Sequence, residues 1–153
     1  MDISKAFNSI GWQNLLDVLM ALGFSTKWHN WISSILGSSS SRILINGRPS
    51  QNIKHAKGLR QGDPQSLLLF IIAIDPLQRI IEHAAQQGLL QPVLPKQAKL
   101  WCSLYADDAT LFAIPTPTEL ARLQKILYVF GECSGLKVNL SKTEIFQLEC
   151  KPI

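Results

Sequence analysis

Apolar positions recur along the chain at two spacings. Trp12, Leu15, Leu16, Leu19 and Leu22 return every three or four residues, which lines one face of a helix, and Gly23 follows as its stop. Asn8 or Ser9 is placed to cap that helix. Ser25 or Thr26 caps a second one, with Trp28, Trp31, Ile32 and Ile35 on one face and Gly37 at its end. The tryptophans are expected in the core. After a polar linker over 38–41, residues 42–45 read as a strand, Asn46-Gly47 as a type I′ turn and 48–56 as the return strand. Asp63 caps and Pro64 opens a long apolar helix towards His83, with Gly88 beyond it. Pro76 lacks an N–H, so a kink or break is expected near Asp75. Two apolar runs, 100–104 and 109–114, have strand length. Thr116-Pro117-Thr118-Glu119 is a capping box, followed by a stripe of Leu120, Leu123, Leu127 and Phe130 and a stop at Gly135. A last strand is expected over 143–148. Helices interleaved with antiparallel pairs predict an α+β fold, a sheet with helices packed on one face.

Composition narrows the class. With 153 residues, 46% hydrophobic and 17% charged, the chain has the length of one domain and can bury a core. Its formal net charge of +4 is compatible with a nucleic-acid partner, although no dense Lys/Arg cluster stands out. Cys102, Cys133 and Cys150 have no zinc-ligand spacing, and His29, His55 and His83 lie far apart. Mostly buried, reduced thiols and an intracellular setting, nuclear or cytoplasmic, are expected. The longest apolar run, 67–74, is too short to span a bilayer, and no signal peptide opens the chain.

Chemistry concentrates at Tyr105-Ala106-Asp107-Asp108, two adjacent carboxylates between the two apolar runs. Adjacent carboxylates repel unless a cation joins them, and all-oxygen ligands suit magnesium. The bland alternative is a solvated hairpin turn, since Asp is a common turn residue. Two other stretches look convergent with it. Asp2-Ile3-Ser4-Lys5-Ala6-Phe7 sets a carboxylate at a strand end. Gly58-Leu59-Arg60-Gln61-Gly62-Asp63-Pro64 is a two-glycine loop entering a helix, where backbone N–H groups can meet anions.

These boxes, in this order, resemble the palm of a reverse transcriptase, most closely the plant-type non-long-terminal-repeat retrotransposon kind. Gly135-Leu136-Lys137-Val138-Asn139 with Lys142 looks like the family's next motif. The resemblance covers nearly the whole chain and implies a palm-like antiparallel sheet. It implies an RNA-directed DNA polymerase in which a primer 3′-hydroxyl attacks the α-phosphorus of a deoxynucleoside triphosphate. It also implies two Mg²⁺ ions, with Mn²⁺ as an alternative, and an RNA template and DNA primer as partners. Asp2, Asp107 and Asp108 would be the metal ligands and Lys142 a proton donor to pyrophosphate. Phe7, five residues after Asp2, would be an aromatic gate against a 2′-hydroxyl, or simply a core residue. Gln61 would contact the incoming nucleotide and Arg60 a phosphate. Tyr105 and Ala106 would lie beneath the primer terminus.

The sequence also departs from that family. Asn8 stands where an Asp is usual, and Gln65 and Leu67 stand where Leu and Pro are usual. Residues matching a fingers region before Asp2 and a thumb after the last motif are missing from the 153. The expectation is therefore one partial reverse transcriptase domain over 1–153, a truncated copy that is inactive on its own. The competing expectation is a non-catalytic retroelement remnant that binds nucleic acid weakly at most.

Overall fold

The computed structural model describes residues 3–91, 102–105 and 108–146. A single turn, α1 (Ala6–Ser9), precedes α2 (Trp12–Ala21) and α3 (Thr26–Gly37). Asn8 and Ser9 therefore sit inside α1 and do not cap α2, whose N-cap is Gly11. The chain turns between the two helices because Ile10 is extended, at φ −54° and ψ 123°. Ser25 caps α3 as expected, its side chain accepting from the Trp28 N–H.

The buried face of α3 is centred on Ile32 and Leu36, four residues apart. Trp31 lies one position to the side and is 55% exposed, contrary to its expected place in the core. The Lys27 amine stands 5.0 Å from its ring centre, a cation–π contact that suits an indole at the surface.

A hairpin follows in four short strands, β1 (Ser40–Ser41), β2 (Leu44–Ile45), β3 (Arg48–Pro49) and β4 (Ile53–Lys54). β1 pairs with β4 and β2 with β3, so 40–41 is strand where a linker was expected. Asn46 and Gly47 have φ of 50° and 75°, both positive as a type I′ turn demands, and Ile45 pairs with Arg48 across them.

Helix α4 (Pro64–Gln86) is capped by the Asp63 side chain and passes through Pro76 without a break. Its interior residues Phe70, Ile74, Leu77 and Ile81 are buried. Packing on both sides of Pro76 keeps the helix continuous where the missing hydrogen bond alone would interrupt it. Strands β5 (Cys102–Tyr105) and β6 (Asp108–Leu111) pair antiparallel, with Cys102 against Leu111 and Tyr105 against Asp108. Helix α5 (Pro117–Ser134) starts at Thr116, whose hydroxyl oxygen accepts from the Glu119 N–H, and ends at Gly135 with φ 80°. A 3₁₀ turn spans Leu140–Lys142. Residues 143–146 are not in a strand, so the described part of the expected last strand is absent.

Helix α2 packs on α3, α4 and α5, and α4 also packs on α5. Leu15, Leu19, Phe70, Leu77, Ile81 and Leu136 are almost fully enclosed, each burial worth about 1.5–3 kcal/mol. The class is α+β, and among the described residues the strands form three antiparallel pairs plus one bridge, Ile3 with Val138. Among the same residues no helix is long and apolar enough to cross a membrane.

Candidate functional site

Three stretches far apart in sequence are joined through backbone. Ile3 bridges Val138, and the Ser4 N–H donates to the Lys137 carbonyl at 2.9 Å. The Gly58 N–H donates to the Ile10 carbonyl at 2.8 Å, and the Leu59 N–H to the Phe7 carbonyl at 2.6 Å. Trp12 adds a third clamp, its indole N–H donating to the Gly58 carbonyl at 2.7 Å. Gly58 has φ 85°, and a Cβ there would stand 2.8 Å from the Asn8 carbonyl oxygen, so the close approach needs glycine. Gly135 is similarly tight, since a Cβ would collide with the Ser9 carbonyl, while the Gly11 N–H bonds to the Ser134 carbonyl at 2.9 Å. The stretches around residues 3–10, 58–59 and 134–138 thus form one backbone knot.

Phe7 is half-buried and stacks on Phe70 of α4, ring centres 4.8 Å apart and planes 17° apart. Phe70 itself is 1% exposed, so the Phe7 ring rests on a fixed wall. Arg60 and Gln61 are exposed in the loop that leads to α4. Both line a cavity of about 750 Å³ between that loop, the end of α3 and the base of the hairpin. Lys142 is exposed at the end of the 3₁₀ turn, its N–H donating to the Asn139 carbonyl at 3.1 Å.

Tyr105 and Asp108 are the last register pair of β5 and β6, so Asp108 opens its strand beside Tyr105. Asp2, Ala106 and Asp107 lie outside the described residues. The expected convergence of Asp2, Asp107 and Asp108 lies outside them with it. Among the described residues no group of three ligating side chains could hold a metal. Asp63, the carboxylate of the two-glycine loop, is committed to the α4 cap through Gln65 N–H at 2.9 Å. Asp2, Asp107 and Asp108, the expected ligands, would offer hard carboxylate oxygens of the kind that Mg²⁺ or Mn²⁺ takes.

Two thiols behave differently. Cys102 is buried, and burial pushes its pKa up to about 11, while Cys133 is exposed, against the expectation of mostly buried thiols. Cys150 lies outside the described residues. Near Cys133, Lys137 Nζ lies 2.6 Å from Glu132 Oε1, and that carboxylate raises the pKa of the amine. Trp12 and Phe70, which hold the site together, were not legible as site residues, since both sit on helical apolar stripes like any core residue.

The reverse transcriptase (RNA-dependent DNA polymerase) family matches residues 1–152. The chain belongs to this family. It is 30% identical over 144 residues to the Pol polyprotein of the type-2 retrotransposable element R2DM of Drosophila melanogaster, covering 93% of this chain and 13% of that protein. It is 27% identical over 143 residues to an uncharacterized 149 kDa protein of transposon TX1 of Xenopus laevis, covering 94% and 11%. An uncharacterized mitochondrial protein of Arabidopsis thaliana is 36% identical over 70 residues, 44% of this chain and 57% of that one. The resemblance to retrotransposon reverse transcriptases thus holds along the chain, which spans about a tenth of the length of the first two relatives.

Proposed function

We propose that this chain carries the nucleotidyl-transfer centre of a retrotransposon reverse transcriptase, adding deoxynucleotides to a primer 3′-hydroxyl on an RNA template. The observation that carries this reading is the backbone knot, which sets the stretch after Asp2 directly against the Gly58-to-Asp63 loop. Asp2, Asp107 and Asp108 are the proposed ligands of two divalent ions. When bound, such ions would supply Lewis acidity at the attacking and leaving oxygens.

The chain's own residues have separable parts in this reading. Phe7, backed by Phe70, stands as the wall that excludes a 2′-hydroxyl. Gln61 contacts the incoming nucleotide and Arg60 a phosphate, both free to reach from an exposed loop. Tyr105 and Ala106 support the primer end. Lys142 holds a proton for the departing pyrophosphate. The glycine at 58 lets the loop approach the Asn8 backbone, which would let Phe7, Arg60 and Gln61 face one substrate.

The 153 residues by themselves are proposed to be inactive. Alignment of reacting atoms accounts for about 7–11 kcal/mol of barrier lowering. Lys5, Arg60 and Lys142 alone are a thin set of cations for a triphosphate. Each missing charge contact costs about 2.7–4 kcal/mol. Primer extension on poly-rA with dTTP and Mg²⁺ is expected to give no product. Product that Asp107→Asn/Asp108→Asn abolishes would overturn the inactivity and support the site. Separately, Mn²⁺ binding followed by electron paramagnetic resonance should weaken at least about tenfold in the same double variant. Unchanged Mn²⁺ affinity would refute the ligand assignment.

A further inference from the structure

Charge is spread unevenly along the chain. No Asp or Glu stands between Asp17 and Asp63, while Lys27, Arg42, Arg48, Lys54, Lys57 and Arg60 all fall there. The surplus of 15 Lys/Arg over 11 Asp/Glu therefore comes from this stretch. On the hairpin, Arg42 and Arg48 flank the exposed aliphatics Ile43, Leu44 and Ile45. This basic, apolar strand also has a free backbone edge. The Ser50 N–H donates to the Ile43 carbonyl at 2.8 Å, and the Ile43 N–H donates to Ser50 Oγ at 3.0 Å. The next residue, Leu44, stands opposite Pro49, which has no N–H to give, so the Leu44 N–H and carbonyl point away from β3. Among the described residues no third strand takes them up. A second patch carries the opposite charge. Glu144 leads into Ile145 and Phe146, 80% and 75% exposed, which with Leu44 are the most exposed large apolar residues of those described. Residues 144–146 belong to no strand of their own copy. Among the described residues Arg42, Arg48 and Glu144 have no ion-pair partner.

We propose that Glu144, Ile145 and Phe146 of one copy of the chain dock as a strand on the β2 edge of a second copy. An exposed apolar strand edge is a template for another strand, and backbone pairing with alternate side chains gives such a contact its affinity and register. In a parallel register Arg42 lies beside Glu144, Ile43 beside Ile145 and Leu44 beside Phe146, one opposite-charge pair followed by two apolar pairs. Leu44, Ile145 and Phe146 stay exposed within a single copy, so its two patches do not cover each other and the partner is another copy. A nucleic acid would engage the arginines but bury none of the aliphatics, whereas an acidic, apolar strand engages both. Each copy offers one patch of each kind, so the contact is head-to-tail. It is small, and therefore weak and transient. None of these six residues has a part in the transfer reaction, so the proposal stands apart from it.

The test is light scattering on the nuclease-treated full chain over a concentration series. The weight-average mass is expected to rise above 17.1 kDa with concentration, and a mass that stays there up to about 1 mM would overturn the proposal. Arg42→Glu and Glu144→Arg each set like charges against each other and should weaken association at least about tenfold. Mixing the two variants restores an opposite pair at both contacts, as does placing both substitutions in one chain, and each should recover the association. This rescue separates a lost contact from a misfolded variant. Phe146→Ser should weaken association about tenfold through lost apolar burial alone. Lys125→Glu, at an exposed position on α5, should leave it unchanged. Single variants that associate like the unsubstituted chain, failure of the mixture to recover, or equal weakening by Lys125→Glu would each overturn the proposal. Association seen only when oligo-rU is added would also overturn it and would make the hairpin a nucleic-acid contact.

Discussion

A methyl group on Gly58 has nowhere to go. The left-handed backbone alone makes alanine unfavourable by about 1–2 kcal/mol, a cost that Gly62 at φ 84° would share. Only at Gly58 does the added carbon also meet the Asn8 backbone, while nothing lies within 4 Å at Gly62. Gly58→Ala should therefore lose about 1–3 kcal/mol more than Gly62→Ala in urea unfolding. Equal losses would show that the loop does not dock as described. The thiols give a second residue-scale prediction. At pH 8 Cys102, its pKa raised by burial to about 11, holds about a hundredfold less thiolate than it would at the ordinary value of 9.0, and burial also keeps reagents from it, whereas Cys133 is exposed. Iodoacetamide should therefore label Cys133 well before Cys102, as read by peptide mapping. The sign of the linked stability follows from the raised pKa of folded Cys102. Its contribution is intact below pH 9, the unfolded value, and is lost as pH climbs from 9 towards 11.

Helix boundaries follow the local chemistry closely. Ser25, Asp63 and Thr116 each accept a backbone N–H at a helix start, and Gly135 ends α5 in the left-handed region. The capping box, however, is only half made. Glu119 does not reach back to Thr116, whose N–H bonds to the Ile114 carbonyl. Glu119 is 3% exposed and accepts from the Gln91 N–H at 3.1 Å, while Arg122 donates to the Leu89 carbonyl at 2.7 Å. The first turn of α5 thereby holds the segment that follows α4. Glu119→Ala should cost about 1–3 kcal/mol, because it strands a backbone donor that Glu119 now satisfies. A loss no larger than that of Thr118→Ala, at an exposed neighbour, would contradict this role. Pro76 supplies the opposite case. Pro76→Ala should raise stability by up to about 3 kcal/mol by restoring a helix hydrogen bond, and an unchanged urea midpoint would mean that α4 loses nothing there.

At the scale of the whole molecule, the same apolar pattern serves more than one outcome. The hairpin carries Ile43, Leu44 and Ile45 at 57%, 71% and 63% exposure, although a strand rich in such residues reads as buried. Trp31 and Ile35 of α3 are likewise outside. Periodicity gives a helix and a rough face, but it cannot tell which edge of that face meets a neighbour. The choice depends on where α2 and α4 lie, which no single segment encodes.

Taken alone, the sequence determined the local elements that short-range chemistry decides: the Ser25, Asp63 and Thr116 caps, the stop at Gly135, the Asn46-Gly47 turn with its two positive φ angles, and the β5–β6 pairing. It also carried the family, because Tyr105-Ala106-Asp107-Asp108 and the Gly58-to-Pro64 box are contiguous strings. The tertiary structure alone decided that Asn8 and Ser9 belong to a turn of their own, that Phe7 stacks on Phe70, and that Trp12 clamps Gly58. It likewise gathered Lys57, Arg60 and the serines around one cavity. Each of these joins residues brought together only by chain packing. A hydrogen bond or ring contact across dozens of residues leaves no periodic mark on either partner, since each keeps a side chain that its own segment would accept anyway.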